Sequence, residues 1–276
     1  MTLHTALLQG TRLLEEAGIA VPRLTAEVLL AHAIRRRREY LYAHPEEELT
    51  ELGWIHYGRY LHERLRGKPT QYITNVQEFY GREFVVGPDV LIPRPETEHL
   101  VEAALAKIHR GDTVLDVGTG SGAIAITLAL QTEARVFATD VSIAALRVAA
   151  VNARKLRAQV GFVAMDLASA IAPRTVDVLV SNPPYVPQTD EPALQREVRD
   201  YEPALALFGG PAGLDFYARI VEQAAIVLRP GGWLLFELAY NAVEAVRHML
   251  GAAWSDIEVR SDLAGLPRVL ETRLAP

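Results

Sequence analysis

Cysteine is absent from the 276 residues, which excludes a disulfide framework, a thiolate metal site and a cysteine nucleophile together. No run approaches the ~18 uninterrupted apolar residues of a membrane span. The opening MTLHTALLQG has no basic n-region and no long apolar core, so no secretory signal is expected and a cytoplasmic location is. Positive charge is not in excess either. Lys plus Arg is 28 against 34 for Asp plus Glu, a net charge of −6, so capture of nucleic acid by a chain-wide basic field is not expected. What is present is a globular composition, 50% hydrophobic and 22% charged, which excludes a wholly disordered or collagen-like chain. The length suits one large domain or two modest ones, with ample chain to bury a core.

Two textures divide the chain. Residues 1–75 read as helices only. Leu3, Leu7, Leu8 and Leu14 fall on one side of a first helix, and Val28, Leu29 and Ile34 on one side of a second that Pro22 starts. A third is predicted from Pro45, through acidic Glu46–Glu48, to the stop Gly67-Lys68-Pro69. Residues 76–87 then read as a short β-hairpin linker, and the three prolines of 87–97 forbid regular helix there. After residue 98 strands and helices alternate. Strands are predicted at 113–117, 135–139, 160–165, 175–180, 232–238, 256–260 and 267–273, with helices at 123–130, 142–157, 214–229 and 241–250. That rhythm predicts an α/β fold, a doubly wound and mostly parallel sheet with a small all-α domain before it. The charge divides likewise: residues 1–86 hold 11 basic and 11 acidic side chains, so the α/β part carries the whole excess of acid.

Several features have an ordinary explanation. The run Arg35–Arg38 is either the solvated end of the second helix or a contact for RNA or an acidic partner. His56 and His62 are six residues apart, not the three or four that place two ligands on one helix face, so no metal site is expected. Trp54, Tyr57, Tyr60 and Leu61 read as bundle core, and Glu197, Asp200 and Glu202 as a solvated lid segment.

Chemistry concentrates in two segments. The first is Asp116-Val117-Gly118-Thr119-Gly120-Ser121-Gly122, between a predicted strand and a predicted helix. Glycines there let the backbone turn sharply and let a ligand approach without Cβ clashes. Asp140 closes the next strand, 18 residues after Gly122, where an acid can accept two hydrogen bonds from ribose hydroxyls. Asp166, at the end of the third strand, is placed to reach an adenine amino group. The loop alone leaves NAD and S-adenosylmethionine open, because Gly118, Gly120 and Ala123 also satisfy the looser dinucleotide pattern. No Tyr-x-x-x-Lys or His-Asp pair appears near the fourth strand to serve a nicotinamide reaction.

The second segment is Ser181-Asn182-Pro183-Pro184-Tyr185, which follows the fourth strand and so enters the crevice at the strands' carboxyl ends. Pro183 and Pro184 fix two φ angles, and Asn182, before a proline, is driven toward an extended conformation. The result is a stiff platform of acceptors, the Asn182 side-chain oxygen and the Pro183 carbonyl, beside the flat face of Tyr185. Such a platform suits a planar –NH2 group. Its nitrogen is a poor nucleophile, so orientation beside an electrophilic methyl supplies much of the rate, several kcal/mol and about 7–11 at the extreme. Neither a metal nor a strong base is required.

With these residues on the page, the chain resembles the release-factor glutamine methyltransferases, the HemK/PrmC family. The resemblance runs through GKPTQYITNVQEFYG (67–81), VLIPRPETE (90–98), LDVGTGSGAIAI (115–126), SNPPYVP (181–187), YEPALALFGGPAGLDFY (201–217), LRPGGWLLFEL (228–238) and DLAGLPRV (262–269). It implies a helical substrate-binding domain at 1–75, the hairpin linker at 76–87 and a seven-stranded Rossmann-like methyltransferase domain at 88–276. It implies methyl transfer from S-adenosylmethionine, leaving S-adenosylhomocysteine, to the Gln of the Gly-Gly-Gln loop of peptide-chain release factors. Gly118, Thr119, Gly120, Ser121 and Gly122 would then hold the cofactor's methionine part, Asp140 its ribose, and Asp166 and Leu167 its adenine. Asn182, Pro183, Pro184 and Tyr185 would hold the glutamine amide, with Asn182 also beside the cofactor and Arg94, Glu96 and Glu98 shaping the pocket wall. Many members carry an aromatic residue where this chain has Leu167, and glycine where it has Ala239. The Asn-Pro-Pro-Tyr motif is shared with adenine-N6 and guanine-N2 nucleic-acid methyltransferases, which remain the alternative. The acidic α/β part argues against a nucleic-acid substrate. A monomer with no membrane partner is expected.

Overall fold

The computed structural model describes residues 1–262 and 264–276. Two compact units make it up: residues 1–76 with 195–201, and residues 77–194 with 202–276. In the first unit, α1 (Leu3–Glu16), α2 (Pro22–Ala33), α3 (Arg38–Ala43), α4 (Glu51–Leu65) and α5 (Thr70–Thr74) pack around Leu7, Leu14, Leu29, Leu30 and Tyr57. Thr2 caps α1 by accepting from the Thr5 N–H, and Thr50 caps α4 by accepting from the Gly53 N–H, each such cap worth about 1 kcal/mol. Glu27 of α2 is buried and accepts from Arg23 and Arg38 at 2.7 and 3.1 Å and from the Tyr42 hydroxyl at 2.5 Å. Burial pushes its pKa up, but the bonds from Tyr42, Arg23 and Arg38 outweigh that and hold it below the usual value. Also in this unit, buried Arg64 pairs with Glu197 at 2.6 Å.

The second unit opens with the hairpin β1 (Val76–Phe79) and β2 (Arg82–Val85) and the short helix α6 (Glu98–Leu105). Its sheet contains β3 (Thr113–Val117), β4 (Arg135–Asp140), β5 (Val160–Ala164), β6 (Val176–Ser181), β7 (Leu228–Glu237), β8 (Trp254–Ser261) and β9 (Pro267–Leu274), in the spatial order β5-β4-β3-β6-β7-β9-β8. All pairs are parallel except those of β9. Helices α7 (Ala123–Gln131), α8 (Ile143–Leu156), α10 (Asp215–Val227) and α11 (Val243–Met249) accompany the sheet, while the short α9 (Arg196–Tyr201) belongs to the first unit. Buried on both faces, β3 and β6 read as near-continuous apolar runs. One core gathers Leu115, Leu179, Tyr217, Leu234 and Phe236; the other gathers Val114, Ile126, Val178, Val180 and Leu235. Alternate residues of one strand serve opposite cores, as the pleat requires. The buried Asn152 of α8 imitates a strand neighbour. Its Oδ1 accepts from the Val85 N–H at 2.7 Å, and its Nδ2 donates to the carbonyls of Val85 and Ser121, both at 2.9 Å.

The α/β rhythm and the seven-stranded, mostly parallel sheet agree with the sequence reading. The helical unit departs from it in four places. Residues 45–48 are not the start of a helix, because two of their carbonyls are taken by the start of α1. Pro45 and Glu47 accept from the N–H groups of His4 and Leu3 at 3.0 and 2.8 Å. Leu8 is 50% exposed and does not share the buried side of Leu3, Leu7 and Leu14. Of the aromatic stripe, Tyr57 and Leu61 are core, whereas Trp54 is 42% exposed. The basic run is not one solvated helix end: Arg35 turns through a positive φ and Arg38 opens α3 and serves Glu27. Among the described residues no helix is long and apolar enough to cross a membrane.

Tyr57 carries a prediction. Its hydroxyl is buried without a partner among the described residues, and a Cβ at Gly10 would stand 1.9 Å from that oxygen. Tyr57→Phe should raise the unfolding free energy measured by urea titration by about 1 kcal/mol, the cost of an unsatisfied buried hydroxyl. Gly10→Ala should lower it by roughly 1–3 kcal/mol through overpacking.

Candidate active site

Strand register builds the site. Thr139 of β4, Val117 of β3, Ser181 of β6 and Phe236 of β7 lie side by side across the sheet. The residues that follow them, Asp140, Gly118, Asn182 and Glu237, therefore form one row at its carboxyl edge. Chain order reverses between β4 and β6 on either side of β3, which makes this the switch point where open α/β sheets bind ligands. Ser181 Oγ reinforces the row by donating to the Val117 carbonyl at 2.7 Å.

The glycine loop is held from below. Gly118 and Thr119 both donate their N–H to the Thr139 carbonyl at 2.9 Å. Gly118 and Gly120 have φ of +74° and +55°, and a Cβ at either meets nothing within 4 Å, so both keep an open face along the cavity they line. Gly122 is glycine for a different reason: a Cβ there would meet Ile126 at 2.7 Å and Ala149 at 3.1 Å. Asp140 grips the loop and the next helix at once. One carboxylate oxygen accepts from the Gly120 N–H at 2.9 Å, the other from the Ser142 N–H at 2.8 Å. Each oxygen keeps a further lone pair, as a hydroxyl-binding acid requires.

Beneath the loop lies Asp116, fully buried. Its Oδ2 accepts from the Thr119 hydroxyl at 2.6 Å and the Ala125 N–H at 3.2 Å, and its Oδ1 has no partner among the described residues. Burial is the main cause that drives its pKa up to about 7, with Asp140 adding to it. Asp116 does not itself line the cavity, and a cation in the cleft above would act on it only through space, favouring its charged form. Asp166 stands two residues beyond β5 and is bound at 2.5 Å by Arg219 of α10. Leu167, in a positive-φ turn, lines the same cavity as Asp166, Leu205 and Phe216. An aromatic ring thus does line that wall, supplied from α10 at Phe216.

Asn182 and Pro183 follow β6 directly, with Pro183 buried and Asn182 half-buried. The Asn182 Nδ2 donates to Thr97 Oγ1 at 3.1 Å, and Thr97 Oγ1 donates to Glu237 Oε2 at 2.6 Å. Tyr185 is largely buried, which pushes its phenol up to about 12, with Glu237 adding to the effect. It therefore stays a neutral ring. The segment is backed by main chain: the Val186 N–H donates to the Leu207 carbonyl, and the Gly209 N–H to the Val186 carbonyl, both at 2.9 Å. A Cβ at Gly209 would meet the Pro184 carbonyl oxygen at 2.5 Å, and one at Gly213 the Tyr185 carbonyl oxygen at 2.2 Å. Arg94 lines the cavity and pairs at 2.5 Å with Glu202, which is 5% exposed. Glu202 is thus no part of a solvated lid, because it neutralises the arginine of the pocket wall.

One cavity brings together Gly118–Ser121, Asp140, Asp166, Leu167, Arg94 and Asn182–Pro184. Glu96, Gly122 and Tyr185 are not among its lining residues; Tyr185 packs against the core of the sheet. Thr97, Glu237, Gly209 and Gly213 went unremarked as site residues. Thr97 and Glu237 could have been found as buried polar residues flanking two of the quoted segments, but only the fold brings them together. The described residues fit an adenosine-bearing cation: an open glycine face, an acid at the second strand end and an unneutralised buried carboxylate beneath.

Two parts of the chain match known family models. Residues 5–74 match the PrmC N-terminal domain model and residues 95–205 the methyltransferase small domain model. A release factor glutamine methyltransferase of Koribacter versatilis is 47% identical over 277 residues, covering 99% of both chains. Another from Moorella thermoacetica is 44% identical over 275 residues, covering 97% of both. In fold, a solved methyltransferase from Pyrococcus furiosus is similar with a TM-score of 0.56 at 19% identity, across 72% of this chain and 91% of its own.

The raised carboxyls make stability depend on pH with a definite sign. Unfolded, Asp116 and Glu237 titrate at their ordinary values of 3.8 and 4.5; folded, both titrate at about 7. Between those values the folded chain holds protons that the unfolded chain has shed, so stability falls as pH rises. Carboxylates held low, such as Glu27, act in the opposite sense and only below about 4.5. The urea midpoint of the ligand-free protein should therefore fall from pH 5 to pH 7.5, and Asp116→Asn should make that slope shallower. An equal slope in both proteins would remove Asp116 as its cause.

Proposed function

We propose, since the chain belongs to the release factor glutamine methyltransferase family, that its cleft methylates the side-chain amide nitrogen of the Gln in the Gly-Gly-Gln loop of peptide-chain release factors. The observation that carries this reading is the row of strand ends. It sets a platform for a planar amide, Asn182 and Pro183, next to a glycine loop and an acid suited to adenosine.

S-adenosylmethionine, when bound, supplies a methyl carbon made electrophilic by its sulfonium. Gly118–Gly122 hold its methionine part, with the Asp116 carboxylate beneath. Asp140 takes the ribose hydroxyls on its free lone pairs. Asp166, steadied by Arg219, and the faces of Leu167 and Phe216 enclose the adenine. Asn182 Oδ1 and the Pro183 carbonyl each accept one N–H of the glutamine amide. Both bonds lie in the plane of the –NH2 group and leave its π-type lone pair free to point out of that plane. Tyr185, neutral and packed against the core of the sheet, stiffens the segment that carries these two acceptors. As positive charge grows on the nitrogen, two fixed acceptors bind it more strongly than they bind the neutral amide. The cation so formed is acid enough to lose a proton to water, so the site needs no strong base.

The helical unit 1–75 serves in this reading as the part that holds the protein substrate. The hairpin 76–87 links it to the transferase domain 88–276. In this reading the enzyme works in the cytoplasm, where its substrate is, and as a monomer. The acidic balance of residues 87–276, 17 basic against 23 acidic side chains, disfavours a nucleic-acid substrate.

Asn182→Ala should cut turnover on a release factor by ~10²–10³, the range for one lost transition-state contact, while leaving the affinity for S-adenosylhomocysteine within about twofold. Label from methyl-tritiated cofactor should reach the release factor and not DNA or ribosomal RNA. It should vanish when the loop Gln is changed to Glu, and label that persists would overturn the assignment.

A further inference from the structure

Thr97 stands between Asn182 and Glu237, almost fully buried in the wall of the cavity that Asn182 also lines. Its Oγ1 lies 3.1 Å from Asn182 Nδ2 and 2.6 Å from Glu237 Oε2, and Thr97 and Glu237 are 4% and 2% exposed. A threonine hydroxyl has one proton to give. An ionised carboxylate has none, so that proton goes to Glu237. Toward Asn182 the hydroxyl oxygen is then an acceptor only, and only the –NH2 end of the asparagine amide can face it. Oδ1 is left at the other end, toward the cleft.

We infer that Thr97 and Glu237 are positioning residues that hold the Asn182 amide in the one orientation presenting an oxygen to the substrate –NH2. The inference rests on the role given to Asn182 above. The two ends of an asparagine amide have nearly the same size, and the Asn-Pro-Pro-Tyr segment has no means of its own to tell them apart. A flipped Asn182 would set its own –NH2 against the substrate –NH2, two donors facing each other, and the platform would lose half its acceptors.

The relay has a polarity that protonation reverses. A neutral Glu237 carboxyl would donate to Thr97, the Thr97 proton would turn to Asn182, and Oδ1 would swing inward to meet it. Several groups face Glu237. Arg268 of β9 and Arg94 favour its charge, while Glu96 opposes it. Tyr185 lies close enough for the two to affect each other's ionisation, and the Tyr217 hydroxyl of α10 donates to the Glu237 main-chain carbonyl at 3.1 Å. Burial is the largest influence and lifts the carboxyl to about 7, against the Thr97 bond and Arg268. The relay thus holds its working polarity above neutrality and loses it below.

The test uses the full-length enzyme, a release factor as substrate and S-adenosylhomocysteine binding as control. Thr97→Val should lower kcat by on the order of 10- to 100-fold, as expected when a reacting group is misplaced, with cofactor-product affinity within about twofold. Thr97→Ser should restore most of that loss. Thr97→Val added to Asn182→Ala should cost nothing further, because a residue acting through Asn182 has nothing left to position. Wild-type kcat should fall on the acid side of about pH 7, and the residual activity of Glu237→Gln should lack that limb, which separates Glu237 from Asp116. Independent, additive losses at Thr97 and Asn182, or an acid limb that survives in Glu237→Gln, would overturn the relay. Should Thr97→Val fail to fold, Thr97→Ser and the two pH profiles still decide. Full activity in Asn182→Ala would instead overturn the reading of the platform, whatever Thr97 does.

Discussion

Four parallel strand ends in register are the constraint on which this molecule's chemistry depends. β4, β3, β6 and β7 each contribute one residue to a single row because their hydrogen bonds align Thr139, Val117, Ser181 and Phe236. A slip of one residue in any pair would turn every side chain of that strand to the other face. It would also carry its functional residue a full step along the strand and out of the row, about 3.3 Å. The two buried cores guard against such slips, since β3, β6 and β7 alternate apolar side chains between them and β4 sends Val136 and Ala138 into one.

Charge placement follows from the same row. Two acids, Asp116 and Glu237, sit where water cannot solvate them, and burial lifts both to about 7. They are tolerated because each is anchored by a hydroxyl, Thr119 for one and Thr97 for the other. Two acids that line the cavity are handled differently: Asp140 is held by backbone N–H groups, and Asp166 is paired with Arg219. One sheet edge therefore contains both strained and satisfied carboxylates. The strained ones lie beneath or behind the cleft, and the satisfied ones line it.

Much of this was legible in the sequence, for physical reasons. Strands of a doubly wound sheet are short apolar runs ended by glycine, acid or proline, and Thr113–Val117 and Val176–Ser181 were placed to within a residue. The glycine loop, Asp140 and the Asn-Pro-Pro-Tyr segment were recognisable because backbone freedom and backbone stiffness each need particular residue types. The helical unit was read less well. Its α4 begins at Glu51, not Pro45, since the carbonyls of Pro45 and Glu47 serve the start of α1, a tertiary bond that no local pattern announces. Glu202 was misjudged for the same kind of reason: its partner Arg94 lies 108 residues away. Thr97 and Glu237, 140 residues apart, meet only once the fold is formed.

The wall behind Pro184 and Tyr185 has a consequence for how this enzyme can vary. It consists of peptide backbone facing peptide backbone, with Gly209 and Gly213 leaving no room for even a methyl group. Side chains can adapt to a neighbour by changing rotamer, but two main chains in contact cannot. Mutational tolerance in the transferase unit should therefore be lowest in a stretch that carries no acid, base or nucleophile of its own, and a search for important residues by chemical character alone would pass over it.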